Sequence, residues 1–142
     1  MRKTSLLFIS LLIAAFAGLV SCSNSDSNDE KQKAYDKVIA VHDEVMPKLS
    51  QISNLKEQIT KHIAILNDST EIAEWQQLIG ELDDADESMW VWMRQFDSYL
   101  DDKSEEEALE YLKEEQVKVD EVARKINESI AKAEEMFEVN VK

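Results

Sequence analysis

The chain is 142 residues long and carries 30 Asp and Glu against 16 Lys and Arg, a formal net charge of −14. That charge repels nucleic-acid phosphates and anionic lipid headgroups, which excludes nucleic acid as a partner on electrostatic grounds. Two glycines, one proline and a single cysteine leave too few turn residues for an all-β or a typical α/β fold, and rule out an internal disulfide.

The first element is a leader. Arg2 and Lys3 precede an apolar run from Leu6 to Val20, broken only by the polar Ser10. At about 15 residues the run is shorter than the roughly 20 a membrane span needs, and it ends in small residues as secretory signals do. Leu19-Val20-Ser21-Cys22 resembles the lipobox of bacterial lipoproteins. The resemblance implies removal of a signal peptide at residues 1–21, covalent lipid on Cys22 and a permanent tether, because several acyl chains anchor stably where one does not. Lipidation also accounts for the only cysteine, which as a free thiol would be unusual in an oxidising compartment. Ser23 stands where many inner-membrane lipoproteins have aspartate, so the same resemblance implies an outer-membrane protein facing the periplasm or the cell surface. Residues 22–30, lipidated at one end and without an apolar residue after Cys22, read as a flexible tether. The mature chain would have 121 residues and, without Arg2 and Lys3, a charge of −16. That is enough for one domain, residues 31–142.

Three helical patterns follow. Val38, Val41, Val45, Leu49, Ile52, Leu55, Ile59, Ile63 and Leu66 recur at steps of three and four, the spacing of one helix face. The stripe passes through Pro47 in phase. Since proline removes a donor and crowds the preceding turn, a kink is expected there rather than a break that would leave a short helix at 31–46. Asn67-Asp68-Ser69-Thr70 closes the helix, and Asp68 with Glu71 forms the start signal of the next. The second stripe is Ile72, Trp75, Ile79, Leu82, Met89, Met93, Phe96 and Leu100, with Asp86 in an apolar slot. After Asp101-Asp102-Lys103, Ser104 and Glu107 make another capping box. Leu109, Leu112, Val119, Ala123, Ile126, Ile130, Ala133 and Phe137 form the third stripe, with Gln116 as its polar exception. Good helix formers dominate throughout. Helices of about 30–36 residues, roughly 45–55 Å long, joined by short loops predict an all-α, antiparallel up-down-up three-helix bundle, its first helix kinked at Pro47.

Antiparallel pairing about residue 68 sets Met46 opposite position 91, His42 opposite Gln95, and Lys56 opposite Glu81 and Asp84 as an ion pair. His42 and Met46 share one helix face, as do Met89 and Met93. An imidazole and three thioethers at one level suit a soft cation such as Cu(I), while Met among aromatic residues equally suits core packing. Trp90 points further out than Trp92 and is a candidate partner anchor. Asp83-Asp84-Ala85-Asp86-Glu87 lacks EF-hand spacing, and His42 and His62 lie too far apart on one helix to share a catalytic site.

His42-Asp43-Glu44-Val45-Met46-Pro47-Lys48-Leu49, with Leu82-Asp83-Asp84-Ala85-Asp86-Glu87-Ser88-Met89 and Trp92-Met93, resembles a group of small Bacteroidota-type helical lipoproteins often labelled "viral A-type inclusion protein". The resemblance covers residues 36–97. It implies a helical lipoprotein and brings no activity with it. The expectation is therefore a non-enzymatic, membrane-anchored module for an envelope protein partner. A copper-binding or copper-buffering protein is the first alternative, and a holdase for cationic or unfolded envelope proteins the second.

Overall fold

The computed structural model describes residues 24–140, so the expected signal peptide and the lipidation site at Cys22 lie outside the described residues. Among the described residues there are four helical segments and no strand: α1 (Asn24–Val45), α2 (Lys48–Ile63), α3 (Ser69–Gln95) and α4 (Glu105–Asn140). Helix α1 reaches back to Asn24, into the segment expected as a tether. Acidic residues favour that end of a helix, and an Asp29–Lys33 pair at 2.5 Å spans one turn, although Asp29 and Glu30 are exposed.

Segments α1 and α2 are the two limbs of one bent rod, as the kink at Pro47 predicts. The Met46 amide still bonds the His42 carbonyl at 2.8 Å, four residues back. Beyond the proline the ladder tightens to three-residue steps, Leu49 to Met46 and Ser50 to Pro47, both at 3.3 Å. Pro47 itself keeps helical dihedrals, φ −62° and ψ −24°. The missing donor therefore costs one turn of regular α-helix without stopping the rod. The bend redistributes the packing: α1 rests on α4, α2 touches both α3 and α4, and α3 lies along α4.

Helix α4 is thus the shared spine. Its buried face takes in Ala108, Leu112, Glu115, Val119, Val122, Ala123, Ile126, Ser129, Ile130 and Ala133. Opposite it, Val38, Val45, Leu49, Ile52, Leu55 and Ile59 from the bent rod meet Trp75, Leu78, Leu82, Ala85, Met89 and Trp92 from α3. Both caps form as the sequence predicts. The Asp68 carboxylate accepts the amides of Thr70 (2.8 Å) and Glu71 (3.0 Å). Ser104 and Glu107 bond reciprocally at 2.9 and 3.3 Å.

Helix α3 stops at Gln95, short of the expected Leu100. Phe96 turns to extended backbone, and the loop is pinned instead by polar contacts. The Tyr111 hydroxyl accepts the Asp97 amide at 2.7 Å, the Asp97 carboxylate accepts the Tyr99 amide and Lys103, and Leu100 folds back into the core from the loop. Lys56 pairs with Asp83 rather than with Glu81 or Asp84. Glu81 is taken by Lys132 of α4 at 2.5 Å.

Two changes on one stretch of α3 test this packing in opposite directions. Leu82 is fully buried, so Leu82→Ala should cost about 2–5 kcal/mol in urea unfolding. Gly80 has open space where a Cβ would stand, so Gly80→Ala should gain about 0.5–1 kcal/mol. The Asp68 carboxyl is held below its ordinary value of 3.8, first by the Glu71 amide and then by that of Thr70. A depressed carboxylate contributes stability that is full above its unfolded value and is lost as pH falls through the folded one. Unfolding midpoints followed from about pH 5 downward should therefore drop less steeply in Asp68→Ala than in the wild type.

Candidate functional site

The bend and the end of α3 bring the chemically distinctive side chains together. His42 on α1 lies against Met93 on α3, with Nε2 3.2 Å from Sδ, and its other nitrogen, Nδ1, is 2.8 Å from the Asp43 carboxylate. The partner is Met93, two residues short of the Gln95 that simple antiparallel pairing gives, because the bent rod does not hold one register along its length. The His42 side chain is 23% exposed, at the boundary between core and solvent. Its ring lies 5.9 Å from that of Trp92, which stacks on Phe96 at 4.9 Å. Phe96 in turn meets Tyr35 of α1 at 6.0 Å and Tyr111 of α4 at 6.2 Å.

Of the other two thioethers expected here, Met89 is fully buried in the core, and Met46 is half-buried at the bend. Among the described residues no three His, Cys, Asp or Glu side chains converge into a metal-binding group.

Behind the aromatic row stands a residue that hydrophobic periodicity passed over. Glu115 is only 3% exposed, in the buried face of α4 where the sequence pattern placed Gln116 as the exception. The Trp92 indole donates to one of its oxygens at 2.9 Å and Lys118 donates to the other at 2.7 Å. A buried carboxylate is tolerable only with such partners. Here the pair fixes the rotation of Trp92 and hence the ring facing His42. The Glu115 bond holds the Lys118 ammonium above its ordinary range, and burial raises the Tyr111 phenol above its own.

On the other side of α3, Trp90 is 41% exposed. It flanks an open groove of about 390 Å³ lined by Met46, Leu49, Ile52, Lys56, Asp86 and two serines, Ser50 and Ser53. This groove runs between the lower limb of the bent rod and α3, starting at the kink.

At the far end His62 sits edge-on to Trp75 at 4.8 Å with Phe137 beyond, remote from His42 as the sequence predicts. His62 Nε2 and Trp75 Nε1 are buried there without a hydrogen-bond partner among the described residues. Among the described residues neither histidine is hydrogen-bonded to a hydroxyl; the Ser88 and Ser129 hydroxyls donate to backbone carbonyls of their own helices. No described helix is long and apolar enough to cross a membrane. Known protein families, curated proteins and solved structures yield no match to this chain.

Removing the indole donor should expose the dependence of the site on Glu115. Trp92→Phe keeps the stacking ring but strands a buried carboxylate oxygen, and should cost about 1.5–3 kcal/mol in chemical denaturation. Adding Glu115→Leu should recover part of that loss, since an apolar pair needs no partner.

Proposed function

We propose that the protein is a lipid-anchored, non-enzymatic interaction module of a bacterial envelope. It is held to the outer membrane through Cys22 and docks a partner protein in the Trp90 groove. The observation that carries this reading is Trp90: a large indole left 41% exposed beside a groove whose floor is Met46, Leu49 and Ile52. Exposed tryptophan beside an apolar pocket is the side chain that most often dominates a protein interface. The groove edge is polar, with Lys56 tied to Asp83 and Asp86 beside it, and the surface around it belongs to a chain of net charge −14. A partner with an apolar anchor framed by basic groups fits that character. The order of leader, apolar run and Cys22 supports the membrane address.

The test is co-purification from native envelopes in mild detergent, run in parallel with wild type and Trp90→Ala. One defined partner should be enriched by the wild type and recovered about 30-fold less by the variant, as the loss of a ~2 kcal/mol anchor requires. Equal recovery by both, or none by either, overturns the docking reading. Intact-mass measurement should show a mature chain beginning at acylated Cys22, and an unprocessed terminus overturns the address.

A further inference from the structure

We propose that the face between α3 and α4 docks a second copy of this chain, independently of the Trp90 groove on the other side of α3. An open groove of about 470 Å³ runs along this face, with Val91, Trp92 and Val122 as its apolar lining. Its two walls differ in sign. Glu81, Asp84 and Glu87 edge α3, whereas Lys118, Lys125 and Lys132 edge α4. Four of these six charges have partners within the chain: Glu81 with Lys132, Glu87 with Arg94, and Lys118 with Glu115. Asp84 and Lys125 line the same groove, and among the described residues neither has an ion pair or a side-chain hydrogen bond. The chain therefore presents one unmatched carboxylate and one unmatched ammonium on opposite walls.

Such a face is complementary to itself. Two contacts set the level of one rod against the other: Lys132 with Glu81 at 2.5 Å, and Trp92 with Glu115 at 2.9 Å. Counting seven residues from the first or ten from the second puts Lys125 level with Ser88 or with Leu82, and Asp84 lies between those two. A two-fold axis laid along the rods sets α3 of each copy over α4 of the other. Lys125 of one copy then faces Asp84 of the other, Val91 comes over Val122, and the Lys132–Glu81 pair meets its own image with carboxylate over ammonium. An axis across the rods would set acid on acid and lysine on lysine, so charge selects the first arrangement. That axis also leaves the starts of both α1 helices at one end, as two chains tethered to one membrane would need. The face runs about 27 Å from Gln77 to Gln95, and two helices side by side are about 20 Å wide, so each copy offers roughly 540 Å². That is at the small end of protein interfaces, and the expected dimer is weak until the local concentration is high.

The experiment is sedimentation equilibrium of the full chain in density-matched detergent micelles, carrying Cys22→Ser to exclude a disulfide between copies. The expected result is a monomer–dimer equilibrium that weakens as salt rises. Lys125→Glu and Asp84→Lys should each weaken it at least about tenfold, because the symmetry repeats every lost pair and makes each a like-charge contact. Both changes lie on the surface, and circular dichroism should stay unchanged. The double variant restores opposite charges across the axis and should return to within about threefold of the starting chain. Trp90→Ala should leave the equilibrium where it was, which separates this face from the groove beyond α3. A chain that stays monomeric at about 1 mM, a dimer indifferent to both charge inversions, a double variant weaker than either single one, or a dimer lost with Trp90 would each overturn the proposal.

Discussion

One absent N–H sets the geometry of this bundle. Pro47 cannot donate to the Asp43 carbonyl, and the rod answers by tightening one turn and bending while its dihedrals stay helical. Three straight antiparallel rods would each touch the other two along their whole length. Here the upper limb α1 leans onto α4, and among the described residues its backbone makes no close approach to α3. Large side chains span the gap instead: His42 reaches Met93 and Trp92, and Tyr35 reaches Phe96. The lower limb α2 keeps its seat between α3 and α4, and the Trp90 groove opens where the two limbs diverge. Both functional candidates are consequences of the same bend.

A gap between helices filled by aromatic rings and a histidine needs orientation as well as volume, and the polar contacts around it supply that. Glu115 holds the Trp92 indole from behind, and Asp43 holds the imidazole from the solvent side. The Tyr111 hydroxyl fixes the backbone just after Phe96. A charge as buried as Glu115 is poor stabilisation compared with a leucine of similar size, so its presence in the spine fits a requirement for one ring orientation better than a requirement for stability.

Much of this was legible from residue spacing. The three stripes locate the buried side of each rod, although Leu78, Ala108 and Val122 are buried beside them and Ile79 and Leu109 on them are only partly buried; the bundle of three with a kinked first member follows from them. The capping boxes at Asp68 and Ser104 mark two helix starts correctly because both partners of each cap lie within four residues. Failures come where the partner is remote or the periodicity is indifferent. The stripe on α3 runs through Asp86, whereas the chain buries Ala85; a small residue gives hydropathy little to register. Glu115 was invisible because a carboxylate contributes nothing to an apolar pattern and its donor, Trp92, stands 23 residues away. Leu100 is buried as its spacing suggested, but from a loop: Asp97 and Lys103 replace helical hydrogen bonds with side-chain ones, and apolar spacing does not distinguish the two. The site pairing was two residues off for a related reason, since a single antiparallel register presumes a straight rod.

The acidic surface bears on how such a bundle would stand if Cys22 carries lipid. Many described charges are spent in pairs on or between neighbouring turns, such as Arg124 with Glu121 and Glu128, which leaves the excess of carboxylates facing solvent. An anionic bilayer surface repels that excess within a distance of about 10 Å at moderate salt. A lipid at one end pulls the chain to the membrane while the field along its length pushes the rods away. With α4 alone about 54 Å long at 1.5 Å per residue, the balance favours a bundle that projects rather than lies flat. The groove at Trp90, remote from the loop at residues 64–68, would then be presented on the flank of a rod with solvent around it, where a diffusing protein can reach it.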